Sequence, residues 1–272
     1  MVIALCSIRV RRGLVGLLAL AGLYGAAAQI ASGRLPTTVS LPQHDIEGVE
    51  LLPTYASLAE EGLFLVQAGI LLQGAAVSTG RVLAGFLLGS VVGITLGLAM
   101  GWAEGLEYVL DPWVVLLRFT PALALLPLYV LWLGLGEAAK IGLIATAVAV
   151  VTLQGAYQGV RGIPRVYWDA ASALAAAPSL VLRRIVLPAA LPQILASLRI
   201  AIALGWVTVI AAELIQPSMP SLGYLLALAG AYPRVPTIMI ALAAIALLVL
   251  VSDGLTLAVY FQATRWMRRR HA

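Results

Sequence analysis

Chemically reactive side chains are sparse in this chain, and their spacing matches no catalytic or metal-binding motif. The single cysteine, Cys6, excludes an internal disulfide and a cysteine metal cluster. The two histidines, His44 and His271, lie too far apart in sequence to predict a metal site. No G-x-x-x-x-G-K-[ST] phosphate loop, G-x-S-x-G elbow or H-E-x-x-H helix occurs. The sequence therefore predicts no catalytic residue, no metal and no cofactor, and ATP-driven work would need a separate ATPase chain.

Two carboxylates fall inside apolar segments, where an ionised side chain is expensive in lipid. Glu213 has two interpretations: a residue of a translocation pathway paired with a basic group, or an outer-interface residue close to Pro217. Asp253 has no partner nearby in sequence, and the hypothesis is an ion pair with Arg199 or Arg81. Such residues need a surrounding structure that shields them from lipid.

The composition of the chain indicates a membrane protein. Of the 272 residues, 62% are hydrophobic and 11% are charged, whereas soluble domains carry about 25% charged residues. There are too few polar residues to cover a water-facing surface, so lipid must face much of the chain. Helices satisfy their own backbone groups in lipid. The predicted fold class is therefore all-α, a polytopic membrane protein with about six transmembrane helices.

The six predicted spans are apolar stretches at 13–30, 82–100, 112–133, 141–151, 191–215 and 237–261. The segment 63–77 is interpreted as an interfacial or periplasmic helix that leads into the second span. The first stretch also has the basic start and Ala-rich end of a cleaved signal peptide, an alternative that would leave five spans.

The basic residues orient the spans. Eleven of the 17 basic residues lie before the first span, after the last span, and between the fourth and fifth. An N-terminus inside the cell places all three groups in the cytoplasm, as the positive-inside rule requires. The net charge of +5 is explained in this way without a nucleic-acid partner. Both termini are predicted to be cytoplasmic, in a multi-pass protein of the cell membrane.

Glycine and proline mark particular positions within the spans. Glycines recur every four residues in the second span and form one smooth helix face for close packing: Gly85, Gly89, Gly93 and Gly97. Pro121 and Pro127 interrupt the hydrogen-bond ladder of the third span. We predict that they line the translocation pathway together with Glu213. Glu137 and Lys140, three residues apart, predict a local ion pair.

Between the fourth and fifth spans lies a segment too polar to span comfortably, 167–188. Small residues dominate its first half, which predicts a slim helix able to fit a groove on a partner. Pro178 interrupts it, and Ser179 is the expected cap of a second short helix. An ordinary amphipathic interfacial helix is the alternative interpretation.

This segment resembles the "EAA" loop of permeases of binding-protein-dependent ABC importers. The loop begins with Glu-Ala-Ala, continues to a Gly, and ends in an apolar-x-Leu-Pro sequence. Asp169, Ala170 and Ala171 match the start, with Asp in place of Glu, and Ala175 stands at the Gly position. The end is matched by Ile185, Leu187 and Pro188. Trp168 and Leu174 complete the residues that the resemblance implies for ATPase coupling.

Three further segments, 81–86, 118–141 and 212–224, resemble the nitrate/sulfonate/taurine branch of these permeases. The resemblance covers about residues 60–265. It implies a type I importer permease fold with an N-terminal helix and outward loop (1–60), a transmembrane domain (61–265) containing a cytoplasmic coupling loop (161–190), and a basic tail (266–272).

The resemblance also implies partners and a function. The partners are two copies of an ABC ATPase subunit, a second permease in a homodimer or pseudo-dimer, and an extracytoplasmic solute-binding protein. The chain would be the permease subunit, in the bacterial inner membrane, of an importer for a small solute such as nitrate, a sulfonate, taurine or bicarbonate. Two alternatives remain open at this point: a secondary transporter or channel that needs no ATPase, and a structural or assembly protein of the membrane.

Overall fold

The computed structural model describes residues 53–265 and, before them, Gly22 alone. Every regular element in residues 53–265 is helical, which confirms the all-α prediction. The α-helices, in chain order, are α1 Tyr55–Gln67, α2 Ile70–Trp102, α3 Glu104–Phe119, α4 Leu126–Leu133, α5 Glu137–Arg161, α6 Arg165–Ala173, α7 Pro178–Val181, α8 Leu187–Ile215, α9 Leu222–Ala231 and α10 Val235–Ala263. A 3-10 helix, Ala122–Leu125, precedes α4, and a π-helix, Leu182–Val186, joins α7 to α8. The predicted span 13–30 and the tail 266–272 lie outside the described residues.

The chain divides into two compact units. The smaller unit holds the described residues up to Leu72 together with Leu225–Ala243. Within it, the Thr237 hydroxyl donates to a carboxylate oxygen of Glu61 at 2.5 Å. Its buried apolar cluster consists of Leu65, Leu225 and Ala241.

The larger unit holds Gln73–Tyr224 and the described residues from Ala244 onward. Helices α5 and α8 pack antiparallel in it, since Gly159 lies against Ala190 while Gly205 faces Ile144. The buried apolar cluster between these helices and their neighbours is formed by Val82, Ile144, Val148, Ala201, Ile202, Trp206 and Val209. This unit contains all the residues discussed below as a candidate site.

Four helical runs in the described residues are long and apolar enough to cross a membrane: α2, α5, Pro178–Ile215 and α10. The predicted stretches 82–100, 141–151, 191–215 and 237–261 fall inside them. The helices are longer than the predictions because a helix continues through a polar residue that finds a partner within the protein. The prediction of one separate helix at 63–77 is wrong in its bounds. The chain turns at Gly69, whose φ is 72°, and the rest of that segment belongs to α2.

The predicted third span, 112–133, is two helices bent by 100° rather than one. The break lies at Pro121, and a proline ring disfavours the helical conformation for the residue before it. Thr120 is accordingly extended, with φ −81° and ψ 122°. Pro127 lies in the first turn of α4, where its missing N–H has no consequence. Pro121 therefore breaks the segment as predicted, whereas Pro127 does not.

The glycine face of α2 lies directly against α5. A Cβ atom built on Gly89, Gly93 or Gly97 would come closer than 3.0 Å to a backbone carbonyl oxygen of α5. The three carbonyls belong to successive turns, at Ala145, Ala149 and Leu153. Gly85 continues the face, where a Cβ would meet the side chain of Ile144 at 2.5 Å. The two backbones approach so closely that only glycine fits on α2.

Candidate functional site

The segment 161–190 folds as a short helix, a tight turn and a second helix that runs into α8. Helix α6 ends in a Schellman motif, in which the N–H of Ala176 donates to the carbonyl of Ala171 and the N–H of Ala175 donates to that of Ser172, both at 3.0 Å. The motif places Ala175 in the left-handed region, with φ 45°. Glycine is the residue that normally occupies this position, which is the physical reason that the resembled pattern has Gly there.

The second short helix, α7, begins two residues earlier than predicted. Ala177 is its N-cap and Pro178 occupies its first turn. Proline is favoured there because its ring already has the helical φ and it lacks an N–H that would be left without a partner. Ser179 therefore lies inside the helix and does not act as the cap, and α7 has no side-chain cap hydrogen bond.

One face of this segment packs onto the rest of the larger unit. Trp168 packs edge-on against Trp102 of α2, with ring centroids 5.6 Å apart. Ala171 is buried, and Trp168 and Ile185 are partly buried against the same cluster. That cluster draws on α5, α6, α7 and α8 through Ala156, Val160, Ile163, Ala171, Val181, Val186, Ala190 and Ile194. Val181 and Val186 were not singled out from the sequence, where they are indistinguishable from other apolar residues.

The opposite face of the segment is exposed. Asp169, Ala170 and Ala175 are exposed, and Leu174 is 80% exposed. Leu187 is 39% exposed, while Pro188 is half-buried. Further large apolar side chains extend this exposed face: Val166, Tyr167, Leu180 and Leu182. The residues predicted for coupling thus divide into a set that anchors the segment and a set that is presented outward.

At the other end of α5 and α8, a buried polar cluster surrounds Glu213. This carboxylate is fully buried within the protein and pairs with a basic group, Arg81, while its depth in the membrane and its place in a pathway stay predictions. Ser78 Oγ donates to it at 2.9 Å and Arg81 Nη1 at 2.6 Å. The backbone N–H of Gly223, in the first turn of α9, donates at 2.9 Å. A Cβ on Gly223 would collide with the Glu213 side chain, so glycine is required for this approach.

Arg81 extends the cluster to α5. Its Nε donates to Glu137 Oε2 at 2.5 Å, and its Nη2 donates to Ser218 Oγ at 3.1 Å. Lys140, only 1% exposed, also donates to Ser218 Oγ. The predicted local pair between Glu137 and Lys140 is therefore replaced by contacts with α2 and with the loop after α8. Two cations and two anions balance one another here.

A second ion pair links α8 to α10. Of the two partners suggested for Asp253, the structure selects Arg199, whose Nη2 lies 2.6 Å from Oδ2 of the aspartate. Arg199 Nε donates to the other carboxylate oxygen, so the pair is bidentate. Arg81 is engaged in the cluster around Glu213 instead. Among the described residues, no group of three His, Cys, Asp or Glu side chains is placed to hold a metal ion.

These features define a helical membrane protein whose long apolar helices carry an exposed helix–turn–helix segment at one end and a buried ion cluster at the other. The family described as "Binding-protein-dependent transport system inner membrane component" matches residues 72–269. The chain belongs to this family: it is a permease subunit of an ABC importer, a translocation subunit that works with an ATPase and a substrate-binding protein.

Individual relatives agree with this assignment. A protein of Brucella abortus (strain 2308) named "Probable ABC transporter permease protein" is 36% identical over 222 residues, which cover 82% of this chain and 88% of that protein. The taurine transport system permease protein TauC of Escherichia coli (strain K12) is 37% identical over 158 residues, covering 58% of this chain and 57% of that one. The resemblance to the nitrate/sulfonate/taurine branch is thereby confirmed.

The fold is also that of solved importer permeases. A chain of the methionine ABC transporter MetNI, in an inward-facing conformation, superimposes with a TM-score of 0.64. The match covers 72% of this chain and 96% of that chain, at 18% sequence identity. The type I importer permease fold is confirmed by this likeness.

Proposed function

We propose that the segment 161–190 is the docking site of the ATPase and transmits its movement to the spans. The observation that carries the proposal is the division of the segment into two faces. Trp168 and Ala171 fix it to the helical unit, while Leu174 and Asp169 are both exposed. Leu174 is a large apolar side chain that is 80% exposed. Such a side chain is more stable against the surface of a partner protein than in water.

The segment can transmit movement only if it is held rigidly against the spans, and the packing beneath it supports this. The cluster beneath the segment contains residues of both α5 and α8, so a displacement of α6 would be passed to two spanning helices together. Packed interiors resist compression and transmit displacement. ATP hydrolysis takes place on the partner, and this chain converts the resulting movement into alternating access.

The proposed assembly has two ATPase subunits and two copies of this permease, served by an extracytoplasmic binding protein. The proposed cargo is a small anion or organic solute such as nitrate, a sulfonate, taurine or bicarbonate. Its support is the likeness to a taurine permease. The proposed orientation places both termini in the cytoplasm, because Arg161, Arg165, Arg183 and Arg184 then lie at the cytoplasmic face. Pro121 would contribute to the pathway through the bend that it creates.

The test compares two substitutions at equally exposed leucines. Leu174→Asp alters the outward face of the segment, whereas Leu135→Asp alters a position that is also 80% exposed, at the opposite end of α5. We expect Leu174→Asp to abolish co-purification of the cognate ATPase, with Leu135→Asp retaining it. Normal ATPase binding and uptake by Leu174→Asp would show that the docking site lies elsewhere.

A further inference from the structure

The ion pair between Arg199 and Asp253 lies far from the ends of its helices. At about 1.5 Å per residue, Arg199 is about 18 Å from the start of α8 and about 24 Å from its end. Asp253 is about 15 Å from the end of α10 and about 27 Å from its start. The hydrocarbon core of a bilayer is about 30 Å thick. Both charges therefore lie at a depth where lipid surrounds the outer surface of the protein.

The pair is nevertheless only partly covered. The side chain of Arg199 is 45% exposed and that of Asp253 is 32% exposed. Asp253 engages Nε and Nη2 of the guanidinium. Within the described part of the chain, Nη1 has no hydrogen-bond partner. Lipid offers no acceptor to such a group, so the face that carries the pair is not a lipid-facing surface.

The surroundings hold the pair in place and leave room beside it. The indole N–H of Trp206 donates to Ser252 Oγ at 3.0 Å, which fixes the rotation of α10 next to Asp253. Ala203, one turn beyond Arg199, is exposed, and a Cβ on Gly254 would meet nothing within 4 Å. Small residues thus border the exposed side of a charge pair whose position is set by packing.

We propose that the Arg199–Asp253 pair lines the water-filled route of the cargo, and that Arg199 Nη1 donates to an anionic group as it passes. Water supplies the acceptor that lipid lacks, whereas a covering protein chain would have to bring its own acceptor to Nη1. Asp253 offsets most of the arginine charge, so the contact stays weak enough for release, as permeation requires. The inference rests on the proposed transport of a small anion and adds the residues that meet it.

The first experiment measures water access by cysteine labelling in a Cys6→Ser background. Ala203→Cys introduces a thiol beside the pair. Val251→Cys is the matched control at similar depth, because Val251 is 51% exposed and lies about 200° around α10 from Asp253. Membrane vesicles of both orientations are treated with the anionic, membrane-impermeant reagent sulfonatoethyl methanethiosulfonate. Labelling after denaturation establishes that both thiols are present.

We expect the thiol at position 203 to react at least ten-fold faster than the thiol at position 251. Equal rates, or no reaction at position 203, would overturn the proposal. Rapid disulfide cross-linking of Ala203→Cys between two copies would overturn it as well, because a protein interface would then cover this face.

The second experiment tests the donor role of Arg199. At position 203, the reaction rate of the anionic reagent is divided by the reaction rate of a methanethiosulfonate that bears a trimethylammonium group. This ratio is measured with and without Arg199→Gln. We expect Arg199→Gln to lower this ratio at least three-fold, and an unchanged ratio would refute the donor contact. A third measurement repeats the labelling in the complex with the ATPase. If the labelling rate does not respond to ATP and vanadate, that result would count against the proposed coupled transport. It would not contradict the proposal that the pair lines a water-filled route.

Discussion

Replacing Gly93 by alanine would place a methyl group where α2 and α5 have no room for one. The new Cβ would come closer than 3.0 Å to the Ala149 carbonyl oxygen and to Thr152 Oγ1. The carbonyl belongs to the backbone of α5 and cannot rotate away, so the two helices must separate locally. Overpacking of this kind typically costs about 1–3 kcal/mol.

The same helix provides a matched control. Gly80 lies more than one turn before the glycine face, is exposed, and has nothing within 4 Å of an added Cβ. Both substitutions gain the same preference of alanine for a helix, about 1 kcal/mol. The difference between Gly93→Ala and Gly80→Ala therefore isolates the packing cost. We expect Gly93→Ala to be less stable than Gly80→Ala by about 1–3 kcal/mol.

The assay is unfolding of the purified permease in one detergent, followed by far-ultraviolet circular dichroism as the fraction of sodium dodecyl sulfate is raised. Gly97→Ala should behave like Gly93→Ala, because its Cβ would also meet a backbone carbonyl of α5. If Gly93→Ala and Gly80→Ala unfold at the same detergent fraction, the close contact between the two backbones does not contribute to stability and the reasoning fails.

Two other substitutions follow from the geometry. Ala175→Gly should stabilise the permease by about 1–2 kcal/mol, because it relieves an L-residue in the left-handed conformation; the same detergent titration checks it, and a loss of stability would contradict the Schellman turn. Glu213→Ala should destabilise the fold by about 3–5 kcal/mol, since it leaves Arg81 and the Gly223 N–H short of a buried acceptor. The control Glu104→Ala, at a side chain 89% exposed, should unfold with the wild type, and equal stability of Glu213→Ala would contradict the role of the cluster.

Several parts of this structure follow from the sequence because they depend on local chemistry. Long apolar runs require helices in lipid, so four of the predicted spans lie within described helices. The four-residue spacing of Gly85 to Gly97 places these glycines on one helix face whatever the partner is. The predicted roles of the segment 161–190 came from a resemblance in its order of residues, and the family match covers that segment.

Other parts depended on how distant segments meet. The sequence does not distinguish Pro121 from Pro127. In the structure only Pro121 lies between two helices, since Pro127 lies in the first turn of α4. Asp253 had two candidate arginines, and neither distance along the chain nor charge distinguishes between them.

Tertiary structure decided these cases through the rotation and register of packed helices. The rotation of α8 directs Glu213 toward α2 and Arg199 toward α10, and these two charges therefore belong to two separate ion clusters. A charged residue in an apolar helix needs a partner within the protein, because lipid supplies none. Which partner it takes is a property of the packed bundle, because the atoms that meet are separated by 54 residues in one pair and 132 in the other.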